Sequence, residues 1–120
     1  MHVNLMIPSH TLPSFIFEKI ASENGFRVVK NLHSHFVRRG CVHAGIIPNT
    51  GDFYRRSSST PKFKEGVAFS LEPMFLYKDA TPILCQAGTA YKTKHDEMAT
   101  HFERTCVMTP MGARSLHIDL

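Results

Sequence analysis

A carboxylate inside an apolar run is the feature that most constrains this chain. Residues 65–74 (EGVAFSLEPM) are entered through a glycine, and Glu72 stands among apolar side chains with a proline directly after it. A buried, unpaired carboxylate is costly, so burial of Glu72 requires a partner, often a metal ion. The alternative is that Glu72 lies on the solvated face of an edge strand. Pro73 favours extended geometry at Glu72 and cannot donate to a ladder, which predicts an edge or a bulge there.

The totals describe one ordinary globular domain. The chain has 120 residues, of which 42% are hydrophobic, and this is too apolar for a disordered chain. No apolar run reaches the roughly 18 residues of a membrane helix and no signal peptide is recognisable, so we expect a cytoplasmic location and no membrane partner. Cys41, Cys85 and Cys106 form no C-x-x-C pair, which predicts free, buried thiols.

The net charge of +4 comes from basic residues that are spread along the chain. Neither a basic block nor an aromatic–basic motif accompanies them. A solvated surface therefore explains this charge better than a nucleic-acid interface does, and we expect no nucleic-acid partner.

The hydrophobic pattern predicts one helix followed by short strands. Thr11 as N-cap and Gly25 at the C′ position predict a helix over about 12–24. Its apolar positions are expected to face the core: Leu12, Phe15, Ile16 and Ile20. Loops are predicted over 48–62, where Ser57 to Ser59 read as linker, and over 78–88, where Ile83 and Leu84 are expected to pack inward. Strands are predicted over 26–32, 66–77, 89–94, 101–108 and 113–118.

Three candidate metal ligands follow one another along this pattern: His35, Glu72 and Glu103. One imidazole with two carboxylates suits a catalytic divalent ion such as Mn, Fe, Co or Zn, and two carboxylates can bridge a pair of ions. By residue type alone the set is not specific, because eight histidines offer many such triples. A satisfied polar histidine is the competing interpretation for His33 and His35. In a strand over 101–108, His101 and Glu103 would share one face.

The glutamate motifs resemble those of the type I methionine aminopeptidases, which are pita-bread metallopeptidases. Residues 65–74 are similar to that family's EGM-x-F-T-I-EPM strand, and residues 102–112 (FERTCVMTPMG) to its EHT…VT…G hairpin. Residues 23–29 resemble the helix end and strand that lead into the family's GHGIG turn. His35 falls where the ligand histidine of that turn would be.

The resemblance implies an α+β fold that is half of the pita-bread architecture, with an N-terminal helix packed on a curved, mainly antiparallel sheet. It implies that His35, Glu72 and Glu103 are metal ligands, in a family that usually binds two divalent ions. It also implies that hydroxide activated at the metal removes methionine from the N-terminus of a peptide or nascent protein. His43 is the candidate for the family's further catalytic histidine, although the FHEEP pattern around it is absent.

The chain also departs from the family pattern. Ser34 and Phe36 replace the glycines that flank the ligand histidine, and Arg104 replaces the histidine beside the second ligand glutamate. Residues 1–120 resemble the C-terminal half of the catalytic domain alone, and no aspartate stands in a context like the two ligand aspartates of the first half. We interpret the apolar, uncapped residues 1–9 as part of a longer sequence that has been cut.

Two functions remain open at this point. The first is an incomplete methionyl aminopeptidase that is inactive or weakly active alone and requires a complementing N-terminal half. The second is a non-catalytic relic that acts as a binding or dimerisation module, for which a homodimer is the expected partner.

Overall fold

Residues 13–53, 62–78, 81–88 and 90–117 are described by the computed structural model. Within these ranges the chain forms one α-helix, α1 (Pro13–Glu23), and a short 3₁₀ turn (Gly51–Phe53). The strands are β1 (Arg27–Val28), β2 (Ser34–Val37), β3 (Ile46–Ile47), β4 (Ala68–Leu71), β5 (Met74–Leu76), β6 (Ile83–Leu84), β7 (Tyr91–Lys92), β8 (Ala99–His101), β9 (Arg104–Thr109) and β10 (Gly112–Ser115). No helix in these ranges has the length and apolar character needed to cross a membrane.

Helix α1 ends at the glycine that the sequence marked. Gly25 has a φ of 75°, which is the left-handed region where L side chains are strained. The Phe26 N–H donates to the Ala21 carbonyl at 2.8 Å, and the Gly25 N–H donates to the Ser22 carbonyl at 3.4 Å. This is a Schellman cap, and it confirms the predicted helix end. The predicted N-cap Thr11 and the apolar Leu12 lie outside the described residues, as do residues 1–9 and 57–59.

The predicted core face of the helix was wrong. Phe15 and Ile20 are 56% and 52% exposed, whereas Ser14 and Ala21 are buried and Phe17 packs against the core. The buried stripe is therefore 14–17–21, about one residue out of phase with the predicted one. Two members of this stripe, Ser14 and Ala21, are small, and apolar content alone did not indicate that they would be buried.

The larger sheet has five antiparallel strands in the order β10-β9-β4-β2-β3. Its buried face carries the main core, which consists of Ile47, Phe69, Leu71, Cys106 and Met108, with Phe17, Phe36, Phe63 and Ala113 packed around it. The predicted hairpin near the end of the chain is confirmed, because β10 pairs with β9 from Gly112 to Ser115. One helix on antiparallel sheets is the α+β architecture that was expected.

A second sheet has the order β1-β5-β8, and two predicted long strands are divided between the two sheets. The predicted strand 66–77 is interrupted at Glu72–Pro73 and divided into β4 and β5. The edge predicted at Pro73 was wrong, because β4 and β5 are each an interior strand of their sheet. The predicted strand 101–108 was wrong as one element. It breaks after His101, and β9 begins only at Arg104, so His101 and Glu103 do not share a face of one strand.

The inward packing predicted for Ile83 and Leu84 was also wrong. These residues form β6, which pairs only with β7 in a separate two-stranded sheet, and their side chains are 38% and 53% exposed. A two-stranded hairpin has no second layer of its own to cover its apolar side chains. The hydrophobicity of Ile83 and Leu84 therefore indicated a strand but not a buried one. Of the strand predicted over 26–32, only Arg27–Val28 pairs, with β5.

The burial of the three cysteines predicts that they are alkylated at different rates. All are free, and Cys106 is buried while Cys41 and Cys85 are half-buried. Burial raises the pKa of the Cys106 thiol, and the nearby Arg104 opposes this only in part. Because the thiolate is the reactive form, we expect iodoacetamide at neutral pH to modify Cys106 roughly tenfold more slowly than the other two. Peptide mapping by mass spectrometry measures these rates, and urea should make them equal. Early labelling of Cys106 in the folded chain would contradict its burial.

Candidate metal centre at the junction of two sheets

Both glutamates of the predicted ligand set lie where the chain passes from one sheet to the other. Leu71 at the end of β4 pairs with Arg104 at the start of β9. Met74 at the start of β5 pairs with His101 at the end of β8. Residues 72–73 therefore face residues 102–103 across two adjacent strand breaks, and we call these four residues the seam. None of these four residues is paired in a strand ladder, so their side chains are free of the alternation that a strand imposes.

The structure brings all three predicted ligands together. The candidate ligand atoms of His35, Glu72 and Glu103 lie within 4.8 Å of one another. His35 Nε2 is 3.0 Å from Glu72 Oε1, and these side chains are only 8% and 15% exposed. Glu103 is exposed, so the group is closed on the side of the core and open to solvent at Glu103. The Glu72 carboxylate therefore has a partner, and it does not lie on the solvated face of an edge strand.

The hydrogen bonding of His35 suits a metal ligand. His35 Nδ1 is 3.2 Å from the Phe36 carbonyl oxygen, which can only accept, so Nδ1 is the ring nitrogen placed to donate. His35 Nε2 lies 3.0 Å from Glu72 Oε1. Two arrangements satisfy this contact: a proton on Nε2 that is donated to the carboxylate, or a metal ion held by both atoms. A backbone carbonyl on the far ring nitrogen is also the usual support of a metal-ligating histidine.

The donor set fits a divalent ion of borderline softness. One imidazole nitrogen and carboxylate oxygens suit Zn, Co, Fe or Mn better than a site made of thiolates or of oxygens alone. Bonds of about 2.0–2.2 Å to one ion place neighbouring ligand atoms roughly 3 Å apart, which matches the His35–Glu72 separation. Three protein ligands leave a coordination position open, as in catalytic sites.

Ser70 holds Glu103 in place. The Ser70 hydroxyl donates to Glu103 Oε1 at 2.7 Å, and Ser70 is 1% exposed. Ser70 stands opposite His35 on one side and Thr105 on the other, in the middle strand of the three. Cross-strand neighbours share a face, so this row directs His35 and Ser70 to the same side of the sheet.

Ser34, which stands where the family pattern has a glycine, holds the backbone of Glu72 in place. The Ser34 hydroxyl donates to Asn49 Oδ1 at 2.5 Å and accepts from the Glu72 N–H at 2.9 Å. The Asn49 amide donates to the carbonyls of Leu32 at 3.1 Å and of Glu72 at 3.4 Å. Ser34 and Asn49 are 0% and 1% exposed. This network gives the Glu72 backbone the partners that a strand ladder would otherwise supply.

Phe36, which replaces the second family glycine, is accommodated by packing. Its ring lies 5.5 Å from that of Phe63, at the edge of the core. Its N–H donates to the Gly45 carbonyl at 2.8 Å. A Cβ on Gly45 would come within 3.4 Å of the Phe36 ring, so a glycine now stands across the hairpin from the aromatic ring.

His43 lies beside the ligand group. Its ring centroid is 4.3 Å from that of His35, with the rings tilted by 57°, and the residue is exposed. It can therefore reach a molecule bound on the solvent side, and its catalytic role stays a prediction. Asp52 is engaged elsewhere, with Lys30 Nζ 2.9 Å from its carboxylate. Asp79 and Asp119 lie outside the described residues.

Four contributors to the site were missed from the sequence: Ser34, Asn49, Ser70 and His101. Ser34 was noticed only as a departure from glycine, and Asn49 sits in a proline–glycine loop where asparagine is ordinary. The two-residue spacing of Ser70 and Glu72 is the one signal that could have been used, because a strand places such residues on one face.

Comparisons with known proteins identify similar chains and folds. No family model matches the chain. The methionine aminopeptidase of Aquifex aeolicus (strain VF5) is 26% identical over 92 residues, which cover 77% of this chain and 35% of that protein. The structure of methionine aminopeptidase from Rickettsia prowazekii superposes with a TM-score of 0.73 at 24% identity, over 85% of this chain and 40% of that one.

The methionine aminopeptidase from Thermotoga maritima gives a TM-score of 0.74 at 23% identity, over 90% of this chain and 45% of that one. This chain thus spans less than half the length of the relatives that it matches. The resemblance to the methionine aminopeptidases is therefore confirmed, and the fold of this chain is part of their pita-bread fold.

Proposed function

We propose that this chain holds a divalent metal ion at the seam and takes part in the removal of N-terminal methionine from peptides or nascent proteins. The observation that carries the proposal is the convergence of His35, Glu72 and Glu103, whose candidate ligand atoms lie within 4.8 Å of one another. The similarity to methionine aminopeptidases supports the substrate class.

Each side chain has a role that follows from its contacts. His35, Glu72 and Glu103 would ligate Mn, Fe, Co or Zn, and an ion so bound lowers the pKa of water and polarises a peptide carbonyl. His43 is exposed and its ring lies beside that of His35, so it is suited to hold the amide of the peptide bond to be cleaved. The peptide would enter at Glu103, the exposed member of the set.

We propose one ion for this chain alone. Three protein ligands are enough for a single ion with an open position, whereas a bridged pair needs further carboxylates. We accordingly expect little or no methionine release by the chain alone, and a complementing half would have to supply further ligands for full activity.

Exposed apolar side chains favour a second candidate function, a non-catalytic binding or dimerisation module. Phe102, in the seam itself, is 69% exposed, and Met98 and Met111 are 78% and 82% exposed. Large exposed apolar side chains next to a site are typical of a surface that another chain covers. This candidate requires no metal.

The proposed metal site predicts a large stabilisation by Mn²⁺ or Co²⁺. An ion at 100 times its Kd stabilises the folded state by about 2.7 kcal/mol, which raises the Tm of a chain this size by roughly 10 °C. Native mass spectrometry counts the bound ions and the subunits in the same sample, and a chelator should reverse the shift. Absence of both a bound ion and a Tm shift would contradict the proposal, and dimers without metal would favour the second candidate. A methionine-release assay on a short peptide then tests the substrate class.

A further inference from the structure

A second histidine contacts the carboxylate at the centre of the site. His101 ends β8 and pairs with Met74, which places it across the seam from Glu72. Its Nε2 lies 3.4 Å from Glu72 Oε2, and its side chain is 44% exposed. The other oxygen of the same carboxylate faces His35. The two carboxylate oxygens of Glu72 therefore contact two different imidazoles.

The two imidazoles differ in their place at the site. As a metal ligand, His35 would offer the lone pair of Nε2, since Nδ1 faces the Phe36 carbonyl. His101 is not among the three residues whose ligand atoms all lie within 4.8 Å of one another. An imidazole that contacts a carboxylate oxygen away from the ion does so favourably by donating its N–H.

We propose that His101 is a positioning residue of the metal site and that it acts through Glu72. Its Nε2–H is donated to Glu72 Oε2, which leaves Oε1, beside His35, as the oxygen that would ligate an ion. Because ligating carboxylates are themselves held by hydrogen bonds, loss of such a partner weakens metal binding without removing a ligand. This inference rests on the proposed metal site.

Three variants test the inference by titration with Co²⁺, monitored by calorimetry and by the visible absorption of the bound ion. His101→Ala removes the donor and should weaken Co²⁺ binding by about 10–100-fold, the usual effect of losing such a partner. His101→Gln retains an N–H donor of similar reach and should bind within about threefold of the unaltered chain, with an unchanged spectrum. His95→Ala, at another exposed histidine, is the matched control and should bind normally.

Each other outcome overturns the inference in a distinguishable way. Normal binding by His101→Ala would show that His101 does not act on the site. Equal loss in the Ala and Gln variants, with an altered spectrum for both, would show that His101 ligates the ion directly. Absence of binding by the unaltered chain would overturn the proposed function as well. Should His101→Ala fail to fold, His101→Asn, which is too short to reach Glu72, takes its place with the same expected loss.

Discussion

Replacement of Glu103 by glutamine is expected to weaken the binding of Mn²⁺ or Co²⁺ by about 100-fold or more. Loss of a residue that only supports a ligand weakens metal affinity by about 10–100-fold, and in this variant a ligand itself loses its charge. The metal-free fold should be intact, because Glu103 is exposed and glutamine keeps an oxygen that can accept from the Ser70 hydroxyl. Titration of the metal-free chain by calorimetry measures the change in Kd directly.

Glu65→Gln is the matched control for this prediction. Glu65 is an exposed glutamate that precedes β4 and lies outside the ligand group, so the same change of charge there should leave the Kd within about twofold. Binding by Glu103→Gln within threefold of the unaltered chain would show that Glu103 is no ligand. Equal weakening in both variants would show that net charge and not ligation is responsible.

Replacement of Asn49 by alanine is expected to lower the free energy of unfolding by about 3 kcal/mol. The side chain is 1% exposed and makes hydrogen bonds to Ser34, Leu32 and Glu72. Its loss leaves buried polar groups without hydrogen-bond partners, and each such group costs about 1–3 kcal/mol. Water that enters the site lowers this cost, whereas the small cavity left by the side chain adds to it. Urea unfolding of the metal-free chain, followed by circular dichroism, measures the change.

Asn24→Ala is the control for Asn49. Asn24 makes one side-chain hydrogen bond, to Ile20, at an exposed helix end, so its loss should cost less than about 1 kcal/mol. Because Asn49 acts on Glu72 through Ser34, we also expect Asn49→Ala to weaken Co²⁺ binding. A cost below 1 kcal/mol for Asn49→Ala would mean that the network is not what holds the seam.

The network shows how the site tolerates the loss of two glycines. In the sequence, Ser34 and Phe36 counted against a working turn. In the structure Ser34 is the partner of the Glu72 N–H, and Phe36 packs on the core opposite Gly45. Both replacements are compensated by residues distant in sequence, at positions 49, 63 and 45. The departures therefore do not argue against a metal site.

The sequence by itself determined the local features. Gly25 ended the helix through its φ, Pro73 interrupted the strand because it lacks an N–H, and the turn between β9 and β10 allowed them to pair as a hairpin. The order of His35, Glu72 and Glu103, together with the resemblance that their motifs carry, also indicated three residues that the structure brings together. These features depend on backbone chemistry and on motifs that are contiguous in the chain.

Only the tertiary structure decided which faces are buried and what supports the ligands. The helix turned Ser14, Phe17 and Ala21 inward in place of Phe15 and Ile20. The contacts of Asn49 with Ser34 and of His101 with Glu72 span 15 and 29 residues. The first joins β2 to the segment that follows β3, and the second crosses the seam between the two sheets. No local pattern encodes them, because each depends on a meeting between segments that are separate in the chain.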